Sequence, residues 1–171
     1  MQGKLSREHV LVPRSDEVLD LYSKSTFGTL LKKSLKLTLY EALYLVEEEK
    51  LVVKNAAGRV LTEEQLTRAG RKLEKEFWVK YCVFRDLRTR GYLVKTALKF
   101  GADFRVYDRG VKPGQDHAKW IVYPVHEASK ERWYDLAGKN RVAHSTRKKL
   151  LIGIVDEEDD VTYFECSWIR P

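Results

Sequence analysis

Three polar side chains in the second half of the chain are of the types that acid–base chemistry uses. Tyr107 closes the run Gly-Ala-Asp-Phe-Arg-Val-Tyr (101–107), His117 precedes Ala-Lys-Trp-Ile-Val-Tyr (118–123), and Lys148 stands just ahead of Leu-Leu-Ile-Gly-Ile-Val (150–155). They lie 10 and 31 residues apart, each beside a strand-like stretch, so neighbouring strands can gather them. A phenol, an imidazole and an ammonium can take up a proton, deliver one and stabilise developing negative charge. RNA supplies its own nucleophile, the 2′-hydroxyl beside each phosphodiester, so such a trio suffices for a metal-free ribonuclease. Taken singly, each residue has a plainer explanation: a strand-ending tyrosine packs, a histidine after a Gly-Pro loop is solvated, and a lysine opening a strand lays its stem over apolar surface.

Other chemistries are poorly supported. Cys82 and Cys166 are far apart in sequence and neither has a partner at metal-ligand spacing, so two buried free thiols are expected rather than a zinc site or a disulfide framework. A nuclease site built on Asp and Glu needs close carboxylates followed by lysine, and Glu127-Ala-Ser-Lys130 has the wrong spacing. No metal and no cofactor are expected. His144 lies near the lysine, while His9 and His126 look peripheral.

The 171 residues are 43% hydrophobic, enough for one domain or two small ones. No apolar run approaches the roughly 20 residues that span a bilayer, and the amino terminus has no signal-peptide core, so a soluble cytoplasmic protein is expected, with no membrane partner. The net charge of +7 favours a polyanion. From residue 76 onward there are 18 Lys/Arg and 14 Asp/Glu, five of the acids consecutive: Asp156, Glu157, Glu158, Asp159 and Asp160. Outside that turn the remainder is strongly basic, which suits phosphates.

Periodicity outlines the elements. Thr38 is placed to cap a helix running to about residue 49, with Tyr40, Ala42, Leu43 and Val46 on one side. Residues 51–54, the turn Asn-Ala-Ala-Gly (55–58) and 59–61 read as a hairpin. Thr62 and Gln65 form a capping box, after which apolar spacing permits helix from 63 to about 89, with Gly70 costing about 1 kcal/mol. Gly91 ends that helix. Residues 92–94, 104–107, 120–125, 150–155 and 161–166 are predicted strands, 109–116 a loop, 129–137 a helix stopped by Gly138, and 156–160 the connection between the last two strands. Lys32, Lys33 and Lys36 are expected to form a solvated edge.

Four segments, in order, carry a resemblance: Leu-Tyr-Glu-Ala-Leu-Tyr-Leu-Val (39–46), Phe-Arg-Asp-Leu-Arg-Thr-Arg-Gly-Tyr (84–92), Lys-Phe-Gly-Ala-Asp-Phe-Arg (99–105) and the 141–155 run. The chain resembles the archaeal tRNA-intron endonucleases over nearly its whole length. The resemblance implies an α/β (mixed α+β) chain: a small amino-terminal α/β domain, 1–75, then a mixed-sheet, restriction-endonuclease-like catalytic domain, 76–171. It assigns Tyr107 as general base, His117 as general acid and Lys148, rather than Lys149, as transition-state stabiliser. Tyrosine is the demanding assignment, since with an ordinary pKa near 10 only about one in a thousand is ionised at pH 7.

The implied substrate is precursor tRNA, cut at intron boundaries in a bulge-helix-bulge to leave 2′,3′-cyclic phosphate and 5′-hydroxyl ends. Arg141 and Trp168 are the candidates for holding an extruded base. The implied partners are other endonuclease subunits, in a homotetramer or a heterotetramer with a structural subunit, and the acidic run 156–160 occupies the position of an intersubunit loop. A non-catalytic RNA-binding subunit and a metal-dependent DNA nuclease of related topology are the alternatives.

Overall fold

The computed structural model describes residues 1–97, 101–111, 114 and 116–169. Lys99 and Phe100 of the 99–105 motif, and Lys112, Pro113 and Gln115 of the expected 109–116 loop, lie outside the described residues. The chain is α+β and divides into two compact units, Met1–Trp78 and Val79–Pro171.

The first unit is a five-stranded mixed sheet with three helices. Strands β1 (Gln2–Ser6), β2 (His9–Pro13), β3 (Thr29–Leu30), β4 (Ser34–Thr38) and β5 (Val52–Lys54) are ordered β3-β4-β2-β1-β5. All pairings are antiparallel except β1 with β5. The hairpin expected at 51–61 closes, with Asn55 N–H donating to Arg59 O at 2.9 Å and Leu61 N–H to Val53 O at 2.8 Å, but its second arm makes a single bridge, Val60 to Lys54, while the other edge of β5 pairs with β1. Alternation puts Val10, Val12, Leu35, Leu37 and Val53 in the core.

Helices α1 (Asp16–Ser25), α2 (Leu39–Glu47) and α3 (Glu63–Leu73) each begin at a hydroxyl cap: Ser15, Thr38 and Thr62. The capping boxes at Thr38 and Thr62 are both formed. Glu41 is buried because it does more than cap: its carboxylate accepts from the backbone N–H groups of Thr38, at 2.9 Å, and Gly28, at 2.8 Å. The helix that periodicity allowed from 63 to 89 is two helices, α3 and α4 (Phe77–Thr89), interrupted at Glu74, whose backbone is extended.

The second unit is a mixed sheet ordered β10-β9-β8-β7-β6, from β6 (Leu93–Thr96), β7 (Phe104–Tyr107), β8 (Trp120–His126), β9 (Lys149–Val155) and β10 (Val161–Cys166). The pair β8–β9 is parallel and the other neighbours are antiparallel. One face meets α4, through Phe84 against Phe104 and Val83 beside Gly153. The opposite face carries Ile121, Tyr123 and Leu150, which pack with Ala143 of α5 (Trp133–Ser145).

The expected helix at 129–137 is corrected in both bounds. It starts four residues later and continues through Gly138 to Ser145. Burial of Ala143 and packing of Leu136 and Val142 outweigh the roughly 1 kcal/mol that a mid-helix glycine costs. Both cysteines are free thiols: Cys82 is buried, whereas Cys166 is half-buried rather than fully buried, on a strand whose outer residues reach solvent.

Gly153 tests the α4 contact. A Cβ there would stand 2.9 Å from Val83 Cγ2 and 3.3 Å from Tyr163 Cε1. Gly153→Ala is expected to destabilise the protein by about 1–3 kcal/mol, read as a lower urea midpoint at an unchanged slope.

Candidate active site

Strand direction decides what meets at the edge of the second sheet. Because β7 is antiparallel to β8 and β8 is parallel to β9, the last residue of β7 and the entries to β8 and β9 share one edge. The backbone ladder continues there, with Lys119 N–H donating to Val106 O at 2.8 Å and Lys149 N–H to Lys119 O at 3.0 Å. Tyr107 ends β7, His117 stands three residues before β8, and Lys148 immediately precedes β9. All three line one cleft of about 330 Å³, together with Arg105 and Asp116.

Their surroundings differ. Tyr107 is 5% exposed and packs with Leu93 and Ala118, the Arg105 guanidinium lying 5.9 Å from its ring centre. His117 is exposed, and its backbone N–H donates to Asp116 Oδ1 at 2.6 Å. Lys148 is half-buried. Its backbone N–H donates to Ala143 O and its Nζ to Thr146 O, both at 2.8 Å. Arg147, at a left-handed φ of 55°, turns the chain from α5 into β9. Burial, and then the Arg105 charge, hold the Lys148 ammonium below its ordinary pKa.

Pleating separates the two adjacent lysines. Lys148 shares its parity with Leu150 on the α5 side, whereas Lys149 shares that of Leu151 and faces the other way. Lys149 Nζ bonds Glu165 Oε1 at 2.6 Å, and Trp120 Nε1 donates to Glu165 Oε2 at 2.8 Å. Those bonds, the Lys149 bond first, hold the Glu165 carboxyl below its ordinary range. Lys149 therefore does not line the cleft.

Arg105 was not singled out in the sequence, yet it is a cleft residue. Its Nε is buried and has no hydrogen-bond partner among the described residues. Its signal was the alternation Phe-Arg-Val-Tyr, which puts Arg105 and Tyr107 on one face of β7. Chemically, the cleft joins two groups able to move protons with two cations able to receive a phosphate's negative charge.

The remaining candidates lie elsewhere. Arg141 is exposed on α5, one turn before His144, whose ring meets Trp168 edge-on at 4.5 Å. Trp168 is 47% exposed. Asp156, Glu157, Glu158, Asp159 and Asp160 connect β9 and β10. Asp156 Oδ1 accepts from the N–H groups of Glu158 and Asp160, both at 2.9 Å, and closes the turn. Among the described residues, no group of three or more His, Cys, Asp or Glu side chains is placed to hold a metal ion. No described helix is long and apolar enough to cross a membrane.

Comparison with known proteins places this arrangement. The tRNA intron endonuclease catalytic C-terminal domain matches residues 77–163, and the tRNA intron endonuclease N-terminal domain matches residues 1–67. The chain belongs to the tRNA intron endonuclease family. The tRNA-splicing endonuclease of Thermococcus onnurineus is 40% identical to it over 170 residues, covering 99% of this chain and 97% of that protein. The tRNA-splicing endonuclease of Methanothermobacter thermautotrophicus is 39% identical over 171 residues, covering 100% of this chain and 99% of that one. The family's catalytic-domain match contains Tyr107, His117 and Lys148.

The coupling between the two cations can be measured. Arg105→Met removes the neighbouring charge, so the Lys148 pKa is expected to rise toward its ordinary value, followed by NMR titration of 13Cε-labelled lysine. Because the folded pKa lies below the unfolded one, the unfolded chain holds more protons between the two. This group's contribution to stability therefore rises with pH through that window, and the window narrows in the variant. An unchanged titration would show that burial alone sets the value.

Proposed function

We propose that this chain is the catalytic subunit of a tRNA-splicing endonuclease, a tRNA-intron lyase that cuts precursor tRNA at intron boundaries in a bulge-helix-bulge without a metal ion. The observation that carries the reading is the single cleft lined by Tyr107, His117 and Lys148. Relatives named tRNA-splicing endonuclease, matched over 97% and 99% of their lengths, support it.

Tyr107 takes the proton from the 2′-hydroxyl, and the freed oxygen forms a bond to the adjacent phosphorus. The bond from phosphorus to the 5′-oxygen breaks, and His117 delivers the proton that this oxygen needs. Lys148 stabilises the charge on the non-bridging oxygens, where a cation in a desolvated cleft is worth most. The products are a 2′,3′-cyclic phosphate and a 5′-hydroxyl. Water is not consumed, so the reaction is an internal transesterification.

Target selection belongs to other residues. Arg141 and Trp168 flank an extruded bulge base, a contact worth roughly 1–3 kcal/mol per base. Two cuts in one substrate call for two active sites at fixed separation, so the enzyme works as an oligomer, a homotetramer or a heterotetramer with a structural subunit. The acidic turn 156–160 is the subunit contact, matching the exposure of Glu157, Glu158 and Asp160.

Two experiments test this reading. In EDTA, the protein is expected to cleave a bulge-helix-bulge RNA to cyclic-phosphate and 5′-hydroxyl ends. Tyr107→Phe is expected to lower the single-turnover rate by about 10²–10⁴-fold with little change in RNA affinity. Cleavage that requires Mg²⁺, or equal losses of rate and binding, would contradict it. Reversing the charge of all five residues in 156–160 is expected to dissociate the oligomer at moderate salt, read by light scattering, and an intact oligomer would remove the turn from the interface.

A further inference from the structure

The sheet of the first unit has one face in the core and one open, and the open face is cationic. Following the register across the sheet, Lys54 pairs with Lys4, Lys4 with Leu11, Leu11 with Lys36, and Lys36 with Thr29. Paired residues project to the same side, so three lysines stand in one row that crosses all five strands. At strand spacings of about 4.8 Å the row runs roughly 14 Å from Lys54 to Lys36. None of the five strands contains an aspartate or glutamate. The unit's carboxylates lie in its helices and connections instead.

Beside the row the surface is concave. A groove of about 630 Å³ there carries the cations of Lys4, Arg7 and Lys33 and the hydroxyls of Ser6 and Ser34 over an apolar floor that includes Leu11 and Pro13. Lys54 Nζ donates to Gln2 Oε1 at 3.1 Å, a neutral partner that does not compensate its charge. Like charges directly opposite each other in a sheet are unfavourable, and Lys4 stands directly opposite Lys54. A ligand with regularly repeated anionic groups relieves that repulsion.

We infer that this open face is a second RNA-binding surface, which holds the phosphate backbone of the precursor tRNA outside the segment being cut. Lysine ammoniums in line with hydroxyls have the composition that contacts phosphate and sugar and carries no base selectivity. A linear row fits a polymer of phosphates better than a folded acidic partner, whose carboxylates fall at irregular spacing. The inference rests on the RNA substrate of the proposed function but uses none of the cleft residues.

The test measures binding of the full-length protein to a precursor tRNA with 2′-deoxy substitutions at both cut sites, over a range of salt. The variant is Lys4→Gln/Lys36→Gln/Lys54→Gln. The control, Lys24→Gln/Lys50→Gln/Lys72→Gln, removes the same charge from outside the sheet. The slope of log affinity against log salt is expected to become shallower by about 2 units in the first variant and to stay near wild type in the control. An unchanged slope in the first variant, or an equal change in both, would overturn the inference. So would an unchanged slope with loss of the oligomer, which would make the face a protein contact. Because the RNA cannot be cleaved, failure of the catalytic reading leaves this comparison intact.

Discussion

The parallel pairing of β8 with β9, in register from Trp120 beside Lys149 to His126 beside Val155, is the constraint on which the site depends. It brings the entries to both strands to one edge, and the antiparallel β7 delivers its last residue to the same edge. A strand's side chains alternate, so a slip of one residue in β9 would present Lys149 to the cleft and send Lys148 to the opposite face. The register is held from both sides: Leu150 packs with Ala143 of α5, and Gly153 admits Val83 of α4 so closely that an added Cβ would stand 2.9 Å from Val83 Cγ2. The geometry of the cleft and core packing are thus one requirement.

The cleft also shows how neighbouring parts of the sheet can concentrate positive charge. Arg105, on β7, and Lys148, just ahead of β9, lie close enough that, after burial, the guanidinium is what disfavours the ammonium. That is an unfavourable pairing of charges, and the buried Arg105 Nε has no hydrogen-bond partner among the described residues. Under the proposed function, a phosphate in the cleft would answer both, by pairing with the two cations where negative charge develops.

Much of this was legible in the sequence, and the exceptions have physical causes. The capping residues Thr38 and Thr62 were readable because a cap is a local interaction, complete within four residues. The strand positions of β7, β8 and β10 followed from apolar runs between turn signals. The parallel pairing of β5 with β1 was not readable, since about 50 residues separate the partners, whereas the hairpin on the other edge of β5 is local. Gly138 misled because helix propensity is a weak preference that burial of Leu136, Val142 and Ala143 overrides. The choice of Lys148 over Lys149 came from a family resemblance, and pleating explains only why Lys148 is the one of the two that lines the cleft. Arg105 went unnoticed because an arginine in a strand reads as an edge residue until its parity with Tyr107 is followed.

The division of labour within the cleft is the central claim, and a substrate with sulfur in place of the bridging 5′-oxygen tests it most directly. A thiolate leaves without needing a proton. Single-turnover cleavage of this RNA by His117→Ala is expected to approach the wild-type rate, while Tyr107→Phe stays slow, because removal of the 2′-hydroxyl proton is still required. If the sulfur substrate restores neither variant, or restores both equally, His117 is not the acid and the assignment of roles at this edge of the sheet is wrong.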